Sequence, residues 1–178
     1  DTVRAVALMP GTGEYVLATQ QVTYQGEFGE VLAANQSSEG GGTDFTQSLE
    51  QMREVVPQTK SVSVIYSWFG DDLRAGSCTI KPKVEDKSRD GFEMPWIVGT
   101  VSRLEAEEVA RIDDRPVYGA TPTDQSVIQA IQAIKDGGQE VLFYPFLLME
   151  ILAGNGLPDP YGGDEQAPFP WRGRITGD

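Results

Sequence analysis

Apolar residues fall into a small number of well-phased segments along this chain. The first run, Val3-Arg4-Ala5-Val6-Ala7-Leu8-Met9-Pro10, ends at Gly11-Thr12-Gly13 and predicts a buried strand closed by a tight turn. Short strands are expected at 15–19 and 21–24, before a Ser/Gly-rich surface loop over 35–42. Phe45, Leu49, Met52 and Val56 then recur at spacings of four, three and four, behind Thr43 and Asp44 as capping residues, and Pro57 follows. One face of a helix is therefore apolar. Val62, Val64 and Tyr66 alternate with Ser63, Ile65 and Ser67, which predicts a strand over 61–69 ending at Trp68-Phe69-Gly70-Asp71-Asp72.

Residues 73–122 change character. Strands are expected at 79–84 and 96–102, separated by a charged stretch. Ser102 and Glu105 have the spacing of a capping box, which is compatible with a short helix at 103–111; a hairpin turning at Asp113-Asp114 is an equal rival. Thr123 precedes a second amphipathic helix carrying Val127, Ile131 and Ile134 and ending at Gly137-Gly138. The apolar run 141–151 predicts a central strand, and the Gly/Pro-rich tail a loop. Strand, helix, strand, a long excursion, helix, strand is a β/α order that implies parallel strands. Three such strands do not close a barrel, so the pattern leaves two readings: a small open sheet, or a barrel of which most is missing.

Charge and composition narrow the function. Lys and Arg number 14 against 27 acidic residues, a net charge of −13, which disfavours binding to phosphate backbones or anionic membrane surfaces. No apolar run is long enough to span a bilayer. The chain has one cysteine, Cys78, and no histidine, so an internal disulfide, His-dependent triads and His-based zinc sites are excluded. No cofactor and no metal is expected. Acid–base chemistry would fall to carboxylates, Lys or Tyr. The chain starts at Asp1 rather than Met and stops in a polar stretch, which gives the expectation of a piece of a longer polypeptide.

Several segments carry a family resemblance. They are Met9-Pro10-Gly11-Thr12-Gly13-Glu14-Tyr15, Gly42-Thr43-Asp44-Phe45, Val64-Ile65-Tyr66-Ser67-Trp68-Phe69-Gly70-Asp71-Asp72-Leu73-Arg74, Tyr118-Gly119-Ala120-Thr121-Pro122, Phe143-Tyr144-Pro145-Phe146-Leu147-Leu148-Met149, Gly154-Asn155-Gly156-Leu157-Pro158-Asp159-Pro160-Tyr161 and Pro168-Phe169-Pro170-Trp171-Arg172-Gly173-Arg174-Ile175. In this order they resemble the large tail-tip or baseplate (megatron) protein of gene transfer agents and related siphophages, which carries a glycoside-hydrolase TIM-barrel-like domain. The resemblance implies an α/β fold, the N-terminal part of a (β/α)8 TIM-barrel-like domain with parallel strands and a β-rich insertion. Residues 1–72 would be the first β/α units, 73–122 the insertion, and 123–178 a helix, the third core strand and a Gly/Pro-rich loop. It further implies a place in the virion at the tail tip, partnership with hub and distal tail proteins, a homotrimer, and host attachment and DNA delivery. Relatives carry a second cysteine where this chain has Ala75, so no metal or disulfide role carries over to Cys78.

The alternative function is cleavage or binding of a host cell-wall or surface glycan. Glycosidases use two carboxylates about 5–10 Å apart, placed in a barrel at the C-terminal strand ends. Glu14, Asp71, Asp72 and Glu150 follow the expected strands, and Trp68 and Phe69 would offer a sugar-stacking platform. Each has a plainer reading: Asp71-Asp72 as a solvated turn or a partner for Arg74, Glu150 as a loop-facing or salt-bridged carboxylate, and Trp68 and Phe69 as core or lid residues. Partial burial of Glu150 beside Leu147-Leu148-Met149 and Ile151 would favour the functional reading. Phe143, Tyr144 and Phe146 are expected to pack inside the sheet, and Cys78 to be a small buried residue. Trp171-Arg172-Gly173-Arg174 sets two cations beside an aromatic, suited to a carboxylate across an interface or to a rim salt bridge. The family's catalytic carboxylates are expected on later strands, so this segment alone should be inactive.

Overall fold

The structure, a computed structural model, describes residues 2–177. Strand β1 (Ala5–Leu8) is followed by the hairpin β2 (Thr23–Gln25) and β3 (Val31–Ala33), helix α1 (Asp44–Val55) and strand β4 (Ser61–Gly70). The excursion holds only two-residue strands: β5 (Ile80–Lys81), β6 (Lys83–Val84), β7 (Ile97–Val98), β8 (Val101–Ser102), β9 (Glu107–Glu108), β10 (Arg111–Ile112) and β11 (Arg115–Pro116). Helix α2 (Asp124–Asp136) and strand β12 (Glu140–Met149) complete the order, with a 3-10 turn at Arg172–Arg174.

The central sheet runs β1-β4-β12, with both pairings parallel, and the short β5 joins it antiparallel to the end of β4. Val62 stands opposite Val6 and Val141, which fixes the two faces. Val62, Val64 and Tyr66 join one buried cluster with Phe45, Leu49 and Met52 of α1 and Val127, Ala130 and Ile134 of α2. This is the amphipathic packing that the spacings predict. On the opposite face Phe69 and Leu148 are covered by Tyr118, Val109 and Ala120 from the excursion.

The (β/α)8 barrel expectation is corrected. Among the described residues there are two α-helices, a central sheet of three parallel strands plus antiparallel β5, and a set of two-stranded sheets, so the sheet stays open. Both β1 and β12 are edges, and a closed barrel would leave neither. No helix among the described residues is long and apolar enough to cross a membrane.

Local differences have local causes. Residues 15–18 form a buried turn, with the Ala18 N–H donating to the Tyr15 carbonyl at 3.0 Å, not a strand. The Ser102–Glu105 box forms only in half: the Ser102 N–H donates to Glu105 Oε2 at 2.9 Å, but the Ser102 hydroxyl donates to the same oxygen at 2.6 Å and does not accept the Glu105 N–H, and no helix follows. The hairpin forms instead: β10 pairs antiparallel with β11 around Asp113 and Asp114, whose φ values of 50° and 60° suit a two-residue turn. Thr123 sits at the N-cap of α2 without capping it, because its hydroxyl bonds to Ile97 O at 3.0 Å. Cys78 is half-buried. Leu142, Phe143 and Tyr144 are 59%, 44% and 40% exposed, contrary to the expectation of internal packing at Phe143 and Tyr144.

Candidate functional site

The turn after β1 delivers Glu14 into the protein, not toward solvent. Glu14 is buried and forms a short ion pair with Arg103, which is itself 4% exposed. Arg103 Nη1 also reaches Glu14 Oε1 at 3.2 Å and donates to the Asp86 carbonyl at 2.6 Å. Its Nη2 donates to Tyr15 Oη at 3.0 Å, and Tyr15 in turn donates to Asp90 Oδ1 at 2.9 Å. Arg103 Nε lies 3.0 Å from Asp90 Oδ1, close enough for an ion pair but off the hydrogen-bond line. The Glu85 N–H donates to Glu14 Oε1 at 2.7 Å. Burial pushes the Glu14 carboxyl above the usual carboxylate range although Arg103 opposes the shift. Burial also raises the Tyr15 phenol. This network ties the first strand's exit to the excursion.

The β4 exit forms a second network. Asp72 is buried, and both its oxygens accept from Arg74: the backbone N–H at 2.8 Å, Nε at 3.0 Å and Nη2 at 2.6 Å. Gln166, fully buried, donates to Asp72 Oδ1 at 2.8 Å and accepts the Leu73 N–H at 2.8 Å. The hydrogen bonds from Arg74, joined by the one from Gln166, pull the Asp72 pKa from its ordinary 3.8 down to about 2. Asp71 is exposed and caps the Thr79 N–H at 2.7 Å.

A folded-state pKa below the unfolded one means that Asp72 stabilises the protein above about pH 4 and ceases to as pH falls toward 2. Asp72→Asn should therefore flatten the stability curve across that acid window, as read by urea denaturation at several pH values. Gln166→Ala should cost about 1–3 kcal/mol at neutral pH, because the Leu73 N–H loses its acceptor inside the protein. Unchanged curves for both variants would contradict this geometry.

Glu150 follows β12 and forms the third network. Its side chain is 5% exposed, with Lys83 in a short ion pair on one oxygen and the Ala110 N–H at 2.9 Å on the other. Lys83 also meets Glu107 at 3.4 Å, and Lys81 meets Glu107 at 2.6 Å. Phe69, Asp71 and Glu150 share a hollow of only about 20 Å³, the space of a single water. Phe69 is buried, its ring 5.9 Å from that of Tyr118, and offers no stacking face. Trp68 is half-buried against the main core, beside Tyr66 and a shallow hollow that also takes in Phe143 and Pro145.

A cavity of about 480 Å³ opens at the C-terminal ends of the parallel strands and is lined by Leu8, Pro10, Ser67, Tyr118 and Phe146 among others. None of the carboxylates expected from the sequence reaches it, and no charged side chain lines it. A cleft of about 210 Å³ beside it holds Glu14 at its wall with Glu85, Asp86, Arg89 and Arg111. Burial raises the Glu85 pKa, and the Ala120 N–H opposes that shift. No group of three metal-ligating side chains occurs among the described residues.

Arg103, Lys83 and Gln166 escaped the sequence reading, because each lies far along the chain from the acid it serves and in no recognisable spacing. The arrangement joins distant loops through charged and amide groups, and it places no pair of the expected carboxylates across an open cleft. No protein-family model matches the chain, and no curated protein matches its sequence.

Proposed function

We propose that this chain is a structural module of a phage or gene transfer agent tail tip, contacting other baseplate proteins during host attachment and DNA delivery. The resembling segments spread through the sequence support the family, and the disposition of the carboxylates supports a structural role within it. Glu14, Asp72 and Glu150 each face a cation at ion-pair distance, an arrangement that holds loops together and leaves none of the three free to trade a proton with a substrate. The uncovered apolar edge of β12 supports a life in contact with neighbours. The single observation that carries this reading is the commitment of these three acids to internal partners.

The test is gold labelling of purified particles with an antibody to this chain. Label concentrated at the distal tail end is the expected result. Label on the capsid, or particles that lack the chain, would remove the proposal.

A further inference from the structure

The edge strand β12 presents bare backbone. The Glu140 N–H donates to the Lys60 carbonyl and the Glu150 N–H to the Gly70 carbonyl, so the even-numbered residues of β12 turn toward β4. Backbone direction alternates along a strand, so Val141, Phe143 and Leu147 aim their N–H and C=O groups away from the sheet. Pro145 shares that side and has no N–H, a placement proline tolerates at a sheet edge. Exposed edges are ordinarily blunted by charges or by a covering element, because they template strand addition. Here Leu142, Phe143 and Tyr144 are exposed in succession, and the strand interior carries no charge.

Next to this edge lies the cation cluster singled out in the sequence. The Arg172 guanidinium is held 3.9 Å from the Phe146 ring centroid and 4.3 Å from that of Trp171. Its Nη2 donates to Tyr144 Oη at 3.0 Å, and its Nη1 is buried without a hydrogen-bond partner among the described residues. Neither Arg172 nor Arg174 meets a carboxylate there, although the chain carries a net charge of −13. A cation that meets no carboxylate among the described residues, Arg172, beside an apolar edge on an acidic protein complements an apolar segment that brings its own acid. The same excess of acid disfavours a second copy of this chain as the occupant.

We infer that β12 and Arg172 form a docking site for an extended segment of a partner protein, one that adds as a strand and sets a carboxylate against the Arg172 guanidinium. This names the chemistry of a neighbour within the proposed structural role and rests on that role only for where the neighbour comes from. The partner strand bonds to Val141 and Phe143 on one side of Pro145 or to Leu147 on the other, since the proline interrupts the ladder. Its side chains meet Phe143 on the helix-covered face and Leu142 and Tyr144 on the opposite one.

The experiment needs only this chain and two probes. One is a capped peptide of alternating Val and Thr carrying one Glu; the other is the same peptide with Lys in place of Glu. Amide exchange followed by NMR should slow at Val141 and Phe143, or at Leu147, when the Glu peptide is added. The Lys peptide should bind roughly tenfold or more weakly, the expected scale for one charge-assisted contact. Arg172→Gln should abolish the difference between the peptides and Arg172→Lys should preserve it. The inference is overturned by exchange that no peptide slows, by equal affinity of the two peptides for the unmodified chain, or by edge protection that grows with protein concentration alone. Each of those results is independent of where gold label falls on a particle.

Discussion

Arg103→Met should cost about 3–5 kcal/mol of folding stability, the range for breaking a buried ion pair from one side. Methionine keeps most of the volume, so the loss reports charge and hydrogen bonding more than a cavity. Glu14 would remain buried with only the Glu85 N–H to stabilise its charge. The Asp86 carbonyl and the Tyr15 hydroxyl would each lose a donor. The pH dependence has a definite sign. Burial already raises the Glu14 pKa, and removing Arg103 takes away the main groups that lower it. A carboxyl raised in the folded state gains stability as it is protonated, so the defect should shrink as pH falls from 7 toward 4. Adding Glu14→Gln should recover part of the loss, because the uncompensated charge is then gone. Urea denaturation of the two single variants and the double variant measures this. A loss below about 1 kcal/mol for Arg103→Met would mean that the network is solvated and weak.

Trp96→Ala should cost a similar amount, about 3–5 kcal/mol, through the cavity left by a large aromatic. Trp96 is 1% exposed and heads the fully buried side chains by volume. Its indole N–H donates to the Thr121 carbonyl at 2.8 Å, and its backbone N–H donates to Asp90 Oδ1 at 2.8 Å. The excursion lacks long strands, so its order depends on such anchors and little on ladder hydrogen bonds. The loss should therefore be uneven. Amide exchange should quicken most across residues 80–122, and less in β4 and α1, which share the buried cluster with Trp96 but keep ladder and helix hydrogen bonds of their own. A uniform change along the chain would contradict an anchoring role exerted mainly on the excursion.

The parts of the fold that could be read from sequence are those with a long period. Phe45, Leu49 and Met52 mark α1, and Val62, Val64 and Tyr66 mark the buried face of β4, because each pattern repeats often enough to exclude the other. The two-residue strands between Ile80 and Pro116 have no period to detect. Thr123 fits the profile of a cap, yet its hydroxyl goes to Ile97, a choice made by the tertiary fold. The apolar run of β12 reads as a strand buried on both sides, whereas Leu142 to Tyr144 lie open at an edge. The β/α order left an open sheet and a partial barrel as alternatives and the resemblance favoured the barrel, but two α-helices with three parallel strands in one open sheet do not make one.

The candidate site was legible only in residue type. Glu14, Asp72 and Glu150 do stand where strands end, as the sequence reading has them. Their partners decide what they do: Arg103 lies 89 positions from Glu14, Gln166 94 from Asp72 and Lys83 67 from Glu150. No local pattern announces a contact at that separation. Arg74, two residues from Asp72, is the exception, and the sequence reading did pair them.

The most direct test is the change in folding stability on neutralising these acids one at a time, with Glu14→Gln, Asp72→Asn and Glu150→Gln compared at pH 7 by urea denaturation. If the carboxylates hold loops together, all three variants should be less stable than the parent chain. Residues kept for reaction chemistry tend to burden the fold, so a variant that gains stability would contradict a structural role for the acid it replaced.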